Sequence, residues 1–216
     1  MDPDAKTRPM AVVPRVQDIR LGKTGLPNVR NWLGYLDIGM MGKIVSASRP
    51  GNYRLFDHLS EFTEHSEFGR AITRDGRFQK NGLPKALTEI YTRTILGLCP
   101  QTDDPTTYQE SLKHGLSGYE LLGMRVDCGI LVAEAKLQTP ELQGELTKAI
   151  KSRRTERLAQ LLRNQKQEDS VRTRAREHAQ ELGIQNETFI PLYQEIIQAT
   201  LAKEVSHLMS LRQELA

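Results

Sequence analysis

Arg125 and Lys136 stand eleven residues apart in the stretch Met124-Arg-Val-Asp-Cys-Gly-Ile-Leu-Val-Ala-Glu-Ala-Lys136. On an α-helix that spacing is about three turns, roughly 20° from full registry, so both cations project from one stripe. Gly129, Ile130, Leu131, Val132, Ala133 and Ala135 lie between them, small or apolar residues suited to a packed interior. Lysine and arginine are seldom buried without partners, and a packed stripe carrying both suggests a pocket for an anion. The alternative from spacing alone is that both head groups reach past a packed helix into water.

The rest of the chain patterns as helices and loops, which sets an all-α fold around one long central helix. Residues 1–27, with four prolines and two glycines, are expected to form a flexible arm, leaving 28–216 as the folded domain. A first helix is expected from about Pro27-Asn28 to Ser48, with Val29, Leu33, Leu36, Met40 and Ile44 at helical spacing. Its glycines, Gly34, Gly39 and Gly42, each weaken it by about 1 kcal/mol against alanine, so outside packing must hold it. Further helices are expected over about 55–70, 84–98, 107–137, 140–152, 154–182 and 186–215, with a loop over 71–82. No alternating strand pattern bounded by hairpin signals is present.

Composition narrows the function classes. With 38% hydrophobic and 26% charged residues in 216, the chain has the make-up of a globular domain. A net charge of +3 does not by itself argue for nucleic acid. The basic run from Lys148 to Glu177 lacks the interleaved aromatics of a single-strand binder, so it is taken as a solvated face that helps steer an anion. No apolar run is long enough for a membrane span. The first ten residues lack a signal-like apolar core, which suggests the cytoplasm, although a chain relieved of a leader would look the same. Cys99 and Cys128 are expected as free thiols, and the five histidines show no ligand spacing, so no metal site is expected.

Three other places carry matching chemistry. Asn164 and Glu168 are four apart, as are Thr200 and Glu204, and each pair shares a helix face. Arg30 lies near the start of the first helix. Taken singly, each is what any solvated helix displays.

Jointly they resemble the all-helical chorismate mutases of fungi and plants. The central stretch matches that family's Arg-Ile-His-Tyr-Gly-Lys-Phe-Val-Ala-Glu-Ala-Lys word at Arg125, Gly129 and Val132 to Lys136, with Asp127 and Cys128 in place of His-Tyr. Val29-Arg30, Leu33 and Asp37 follow the family's opening helix, Asn164 to Glu168 its Asn-x-x-x-Glu, and Tyr193, Ile196, Thr200 and Glu204 its final helix. Against the fungal form the last pattern needs a one-residue shift, whereas bacterial relatives fit it without a gap.

The resemblance implies a cofactor-free rearrangement of chorismate to prephenate, in aromatic amino acid biosynthesis. Such an enzyme holds a compact conformer of a small dicarboxylate and stabilises charge growing on its ether oxygen. Arg30 and Arg125 would each take one carboxylate, since a planar guanidinium suits that shape. Lys136 would donate to the ether oxygen, Glu168 would accept from the ring hydroxyl beside Asn164, and Thr200 would line the pocket. Glu204 would donate to the ether oxygen when protonated, giving an acid-favouring rate profile.

Sister reactions stay open: isochorismate cleavage to salicylate and pyruvate, an amino-chorismate rearrangement, or a silent relative that binds a partner. The resemblance also implies a homodimer. Where relatives carry a Gly-Ser pair of the effector site, this chain has Gln109 and Glu110, and it is shorter between about Glu61 and Thr107, so control by aromatic amino acids is not expected.

Overall fold

The computed structural model describes residues 13–57, 67–74 and 83–214, which fold as helices joined by short loops and 3-10 turns. In chain order the α-helices are α1 (Val16–Arg20), α2 (Leu26–Ser48), α3 (Tyr53–Phe56), α4 (Glu67–Arg74), α5 (Lys85–Leu98), α6 (Tyr108–Asp127), α7 (Gly129–Leu137), α8 (Pro140–Lys151), α9 (Thr155–Leu162), α10 (Gln165–Glu181) and α11 (Ile190–Ser210). No strand occurs among the described residues, and an isolated bridge pairs Asn52 with Thr102.

Prolines and caps set the helix ends. Pro27, Pro140 and Pro191 occupy the first turns of α2, α8 and α11, where a missing N–H costs nothing. Gly183 closes α10 at φ +72°, with the N–H of Ile184 returning to the carbonyl of Ala179 at 2.9 Å.

Burial then stacks these helices. α2 packs along α6, and Met40 and Ile44 meet Tyr91 and Ile95 of α5, Leu122 of α6 and Ile196 of α11 in the main core. A second cluster joins Ala133 and Leu137 of α7 to Leu146, Ile150, Leu158 and Leu208. A third sets Ile19 of α1 and Val29 and Leu36 of α2 against Val132 and Ala135 of α7. The short helix α7 is therefore gripped on two faces, which leaves few directions for Lys136.

The structure departs from the sequence expectations in five places. The arm expected through residue 27 is helical over Val16–Arg20, with Ile19 only 2% exposed, because Ile19 finds an apolar seat on α7. The helix expected over 55–70 ends at Phe56, and Asp57 turns to an extended ψ of 163°; residues 58–66 lie outside the described residues. Helix α4 runs into the loop expected over 71–82, of which 75–82 lie outside the described residues.

The helix expected over 154–182 is two helices, because the Asn164 side chain accepts from the backbone N–H of Gln167 at 3.0 Å and so starts α10 afresh. The long central helix is also interrupted, at Cys128, although Cys128 N–H still reaches Met124 and Val132 N–H still reaches Cys128. Gly129 follows this break and is pressed on α11: a Cβ there would lie 2.7 Å from the Thr200 carbonyl oxygen.

Candidate functional site

Arg125 in the last turn of α6 and Lys136 near the end of α7 line one pocket, closed by α2, α10 and α11. The expected three-turn stripe thus survives the break at Cys128. Arg125 is 3% exposed. Its Nε donates to Asp37 Oδ1 of α2 at 2.8 Å, and its Nη1 donates to Thr200 Oγ1 of α11 at 3.3 Å. Thr200 spends its own proton on the Ile196 carbonyl at 2.7 Å, which turns a lone pair to the arginine. Asp37 compensates the buried cation and orients it, leaving Nη2 for a ligand.

Lys136 is held as tightly. Nζ donates to the Leu162 carbonyl at 2.6 Å, where α9 ends, and to Glu204 Oε2 at 2.8 Å. An ammonium has three protons, so one remains. Close approach of α7 and α11 at Gly129 makes the Lys136–Glu204 contact possible, since any side chain there would push the two backbones apart.

Glu204 is 5% exposed. Burial pushes its carboxyl above the ordinary range; Lys136 and Arg125 pull it down and the Glu168 charge pushes it up, with a net rise. The pocket therefore holds a carboxyl that retains its proton to a higher pH than a free glutamate does.

The remaining expected residues also face this pocket. Arg30 of α2, Asn164, Glu168 and Thr200 all line it. Glu168 lies 3.6 Å from Arg172 along α10, and Asn164 combines an exposed lining position with its capping bond. All seven residues singled out in the sequence thus come to one cavity.

Sequence reasoning missed Asp37 as the partner of Arg125, although it occupies the acidic position of the opening-helix pattern. It also missed Arg163, Gln167 and Arg174, which line the same pocket from the segment taken as a solvated basic face. A helical wheel of 164–174 holds the missing signal, because Gln167, Val171 and Arg174 follow Asn164 and Glu168 at spacings of three and four.

Among the described residues no group of three His, Cys, Asp or Glu side chains could hold a metal ion, and no helix is long and apolar enough to cross a membrane. Cys99 and Cys128 are buried free thiols whose burial pushes each up to about 11, so neither offers a ready thiolate.

The fold and pocket define an all-helical protein with a buried, largely prepaired cationic site. Its architecture is that of the fungal and plant chorismate mutases. The Aro7p chorismate mutase of Candida albicans, solved in complex with L-Trp, superposes with a TM-score of 0.71 at 15% identity, covering 94% of this chain and 95% of that one. AtCM1, an Arabidopsis chorismate mutase, superposes with a TM-score of 0.61 in its form with tyrosine bound in the allosteric site, and 0.65 with phenylalanine bound there. Both AtCM1 structures are 18% identical, covering 87% of this chain and 96% of that one. No family model and no curated sequence matches the chain.

Proposed function

We propose that the chain is a chorismate mutase, converting chorismate to prephenate without a cofactor. The observation that carries this reading is the Lys136–Glu204 pair at 2.8 Å, in a pocket that Arg125 and Arg30 also line. A unimolecular rearrangement needs no nucleophile. It needs a charged mould for a dicarboxylate and donors aimed at one oxygen.

Arg125, oriented by Asp37, takes one carboxylate through its uncommitted Nη2, and Arg30 takes the other. Lys136 donates its third proton to the ether oxygen as negative charge grows there. Glu204, protonated, donates to the same oxygen; ionised, it would repel that charge. Glu168 accepts from the ring hydroxyl, with Asn164 beside it at the head of α10. Thr200 holds Arg125 in place.

Incubating the purified protein with chorismate at about pH 5 and about pH 8, with products separated by chromatography, tests the reading. Prephenate appearing faster on the acid side, without added cofactor, supports it. No product from chorismate at either pH overturns it, and isochorismate and amino-chorismate would then be tried in turn.

The same reading includes a homodimer, supported by Tyr35, Ile38 and Met124, which expose apolar surface on the paired helices α2 and α6. Light scattering on the eluted peak should return twice the monomer mass. It also includes freedom from aromatic amino acid control, supported by Gln109 and Glu110, both exposed at the start of α6. Tryptophan, tyrosine or phenylalanine should then leave the initial rate unchanged.

A further inference from the structure

Among the described residues, two guanidiniums in the pocket have no partner. Arg125 is committed to Asp37 and Thr200, and Lys136 to Leu162 and Glu204. Arg30 and Arg174 line the same cavity, half-buried, and neither makes a hydrogen bond or ion pair among the described residues. Half-buried cations without a counter-charge lose hydration for no return, which is the condition of a site waiting for an anion.

The backbone makes specific room for the second of them. Arg174 comes from α10, yet its Nη1 lies 3.5 Å from where a Cβ on Gly34 of α2 would stand. Gly34 is four residues beyond Arg30, so the two share a helix face. Arg174 thus lies across α2 one turn from Arg30, and a bulky residue at 34 would displace it.

We propose that Arg174 is a substrate-positioning residue that shares with Arg30 the seat for one carboxylate, with Gly34 providing the space. This rests on the mutase reading above. One carboxylate is held by Arg125 on the rigid α6 wall. The other lies between α2 and α10, drawing these helices together as it binds. Two forks on one carboxylate fix its plane as well as its position, which favours a compact dianion over a monoanion of the same shape.

The test compares Arg174→Gln, Gly34→Leu and Arg176→Gln in chorismate turnover. Arg176 is exposed on the same helix and loses the same charge, so it controls for the general field of the protein. Losing one charge-assisted hydrogen bond corresponds to a rise in KM of about ten- to a hundredfold. That rise is expected for Arg174→Gln with kcat changed less than about threefold, and Arg174→Lys should recover part of it. Gly34→Leu, a substitution a helix tolerates, should raise KM similarly while Arg174 is still present. Arg176→Gln should match the unmodified protein.

An unchanged KM in Arg174→Gln would overturn the inference while leaving the mutase reading intact. So would equal shifts in Arg174→Gln and Arg176→Gln. No turnover by the unmodified protein would overturn both at once, so the two failures are distinguishable.

Discussion

Glu204 concentrates the chemistry at the scale of single residues. Its carboxyl is buried beside a lysine, and burial outweighs the lysine, so it holds its proton above the ordinary glutamate range. Such a group is protonated at acid pH and loses its proton as pH rises through the raised value. Donation to the substrate oxygen is therefore complete on the acid side and lost on the alkaline side. Glu204→Gln keeps a donor that does not titrate, so its kcat/KM should stay level where the unmodified protein declines. A pH profile of both proteins from about 4.5 to about 9 checks this. Lys136→Met removes the donor 2.8 Å from Glu204, and kcat should fall about a hundred- to a thousandfold. The fold should survive, because Glu204 without its lysine can remain neutral, and circular dichroism would show that. Lys136 and Glu204 were visible in the sequence as residue types. The resemblance set both at one substrate oxygen, but their direct contact was not legible, because nothing in spacing tells how closely two helices 68 positions apart will approach.

Close approach is decided by the elements. Gly129 was legible as part of the central word, but its purpose appears only where α7 meets α11, with the Thr200 carbonyl 2.7 Å from the absent Cβ. Backbone cannot swing aside as a side chain can. Gly129→Ala should cost about 1–3 kcal/mol, the usual range for forced overpacking, despite alanine's better helix propensity. It should also lower kcat, since it separates Lys136 from Glu204; a thermal melt and a rate measurement on one preparation check both.

Helix α1 is the element that the sequence left in a loose arm. Five residues of helix have almost no stability of their own, so local pattern could not announce it. It is held by Ile19 in the third cluster and by Arg20, whose Nη2 and Nε reach Glu134 at 2.6 and 3.1 Å. His207 of α11 meets the same carboxylate at 2.8 Å. Glu134, between Ala133 and Ala135, is thus the buried tie between α1, α7 and α11. Arg20→Ala should lower stability by about 1–3 kcal/mol, the cost of a buried acceptor losing a charged donor, read from urea unfolding.

At the scale of the whole molecule, that tie gives the protein an acid limit. Burial alone would raise Glu134, but the hydrogen bonds from His207 and Arg20 outweigh it and hold the carboxyl at about 2. A carboxyl lowered in the folded state contributes stability that is present above its unfolded value, 4.5, and lost as pH falls toward about 2. The melting temperature should therefore drop through that window, and Glu134→Gln, less stable at pH 6, should show a shallower drop; calorimetry at a series of pH values checks this. Glu204, shifted the other way, contributes nothing to acid unfolding, because its proton is already favoured in the fold.

The sequence by itself determined that the chain is helical and where α2, α5 and α8 begin and end, and its resemblance to the chorismate mutases singled out the seven polar residues that line one pocket. The helical properties follow from periodicity, proline and glycine, all of them local, and the grouping of the seven follows from their likeness in type and order to that family. Only the tertiary structure decided that α1 docks, that Asp37 neutralises Arg125, and that Arg174 lies beside Gly34 of α2. Each of these depends on which surface a residue meets, and that is set by the packing of helices distant in sequence, where burial and charge pairing outweigh local preference.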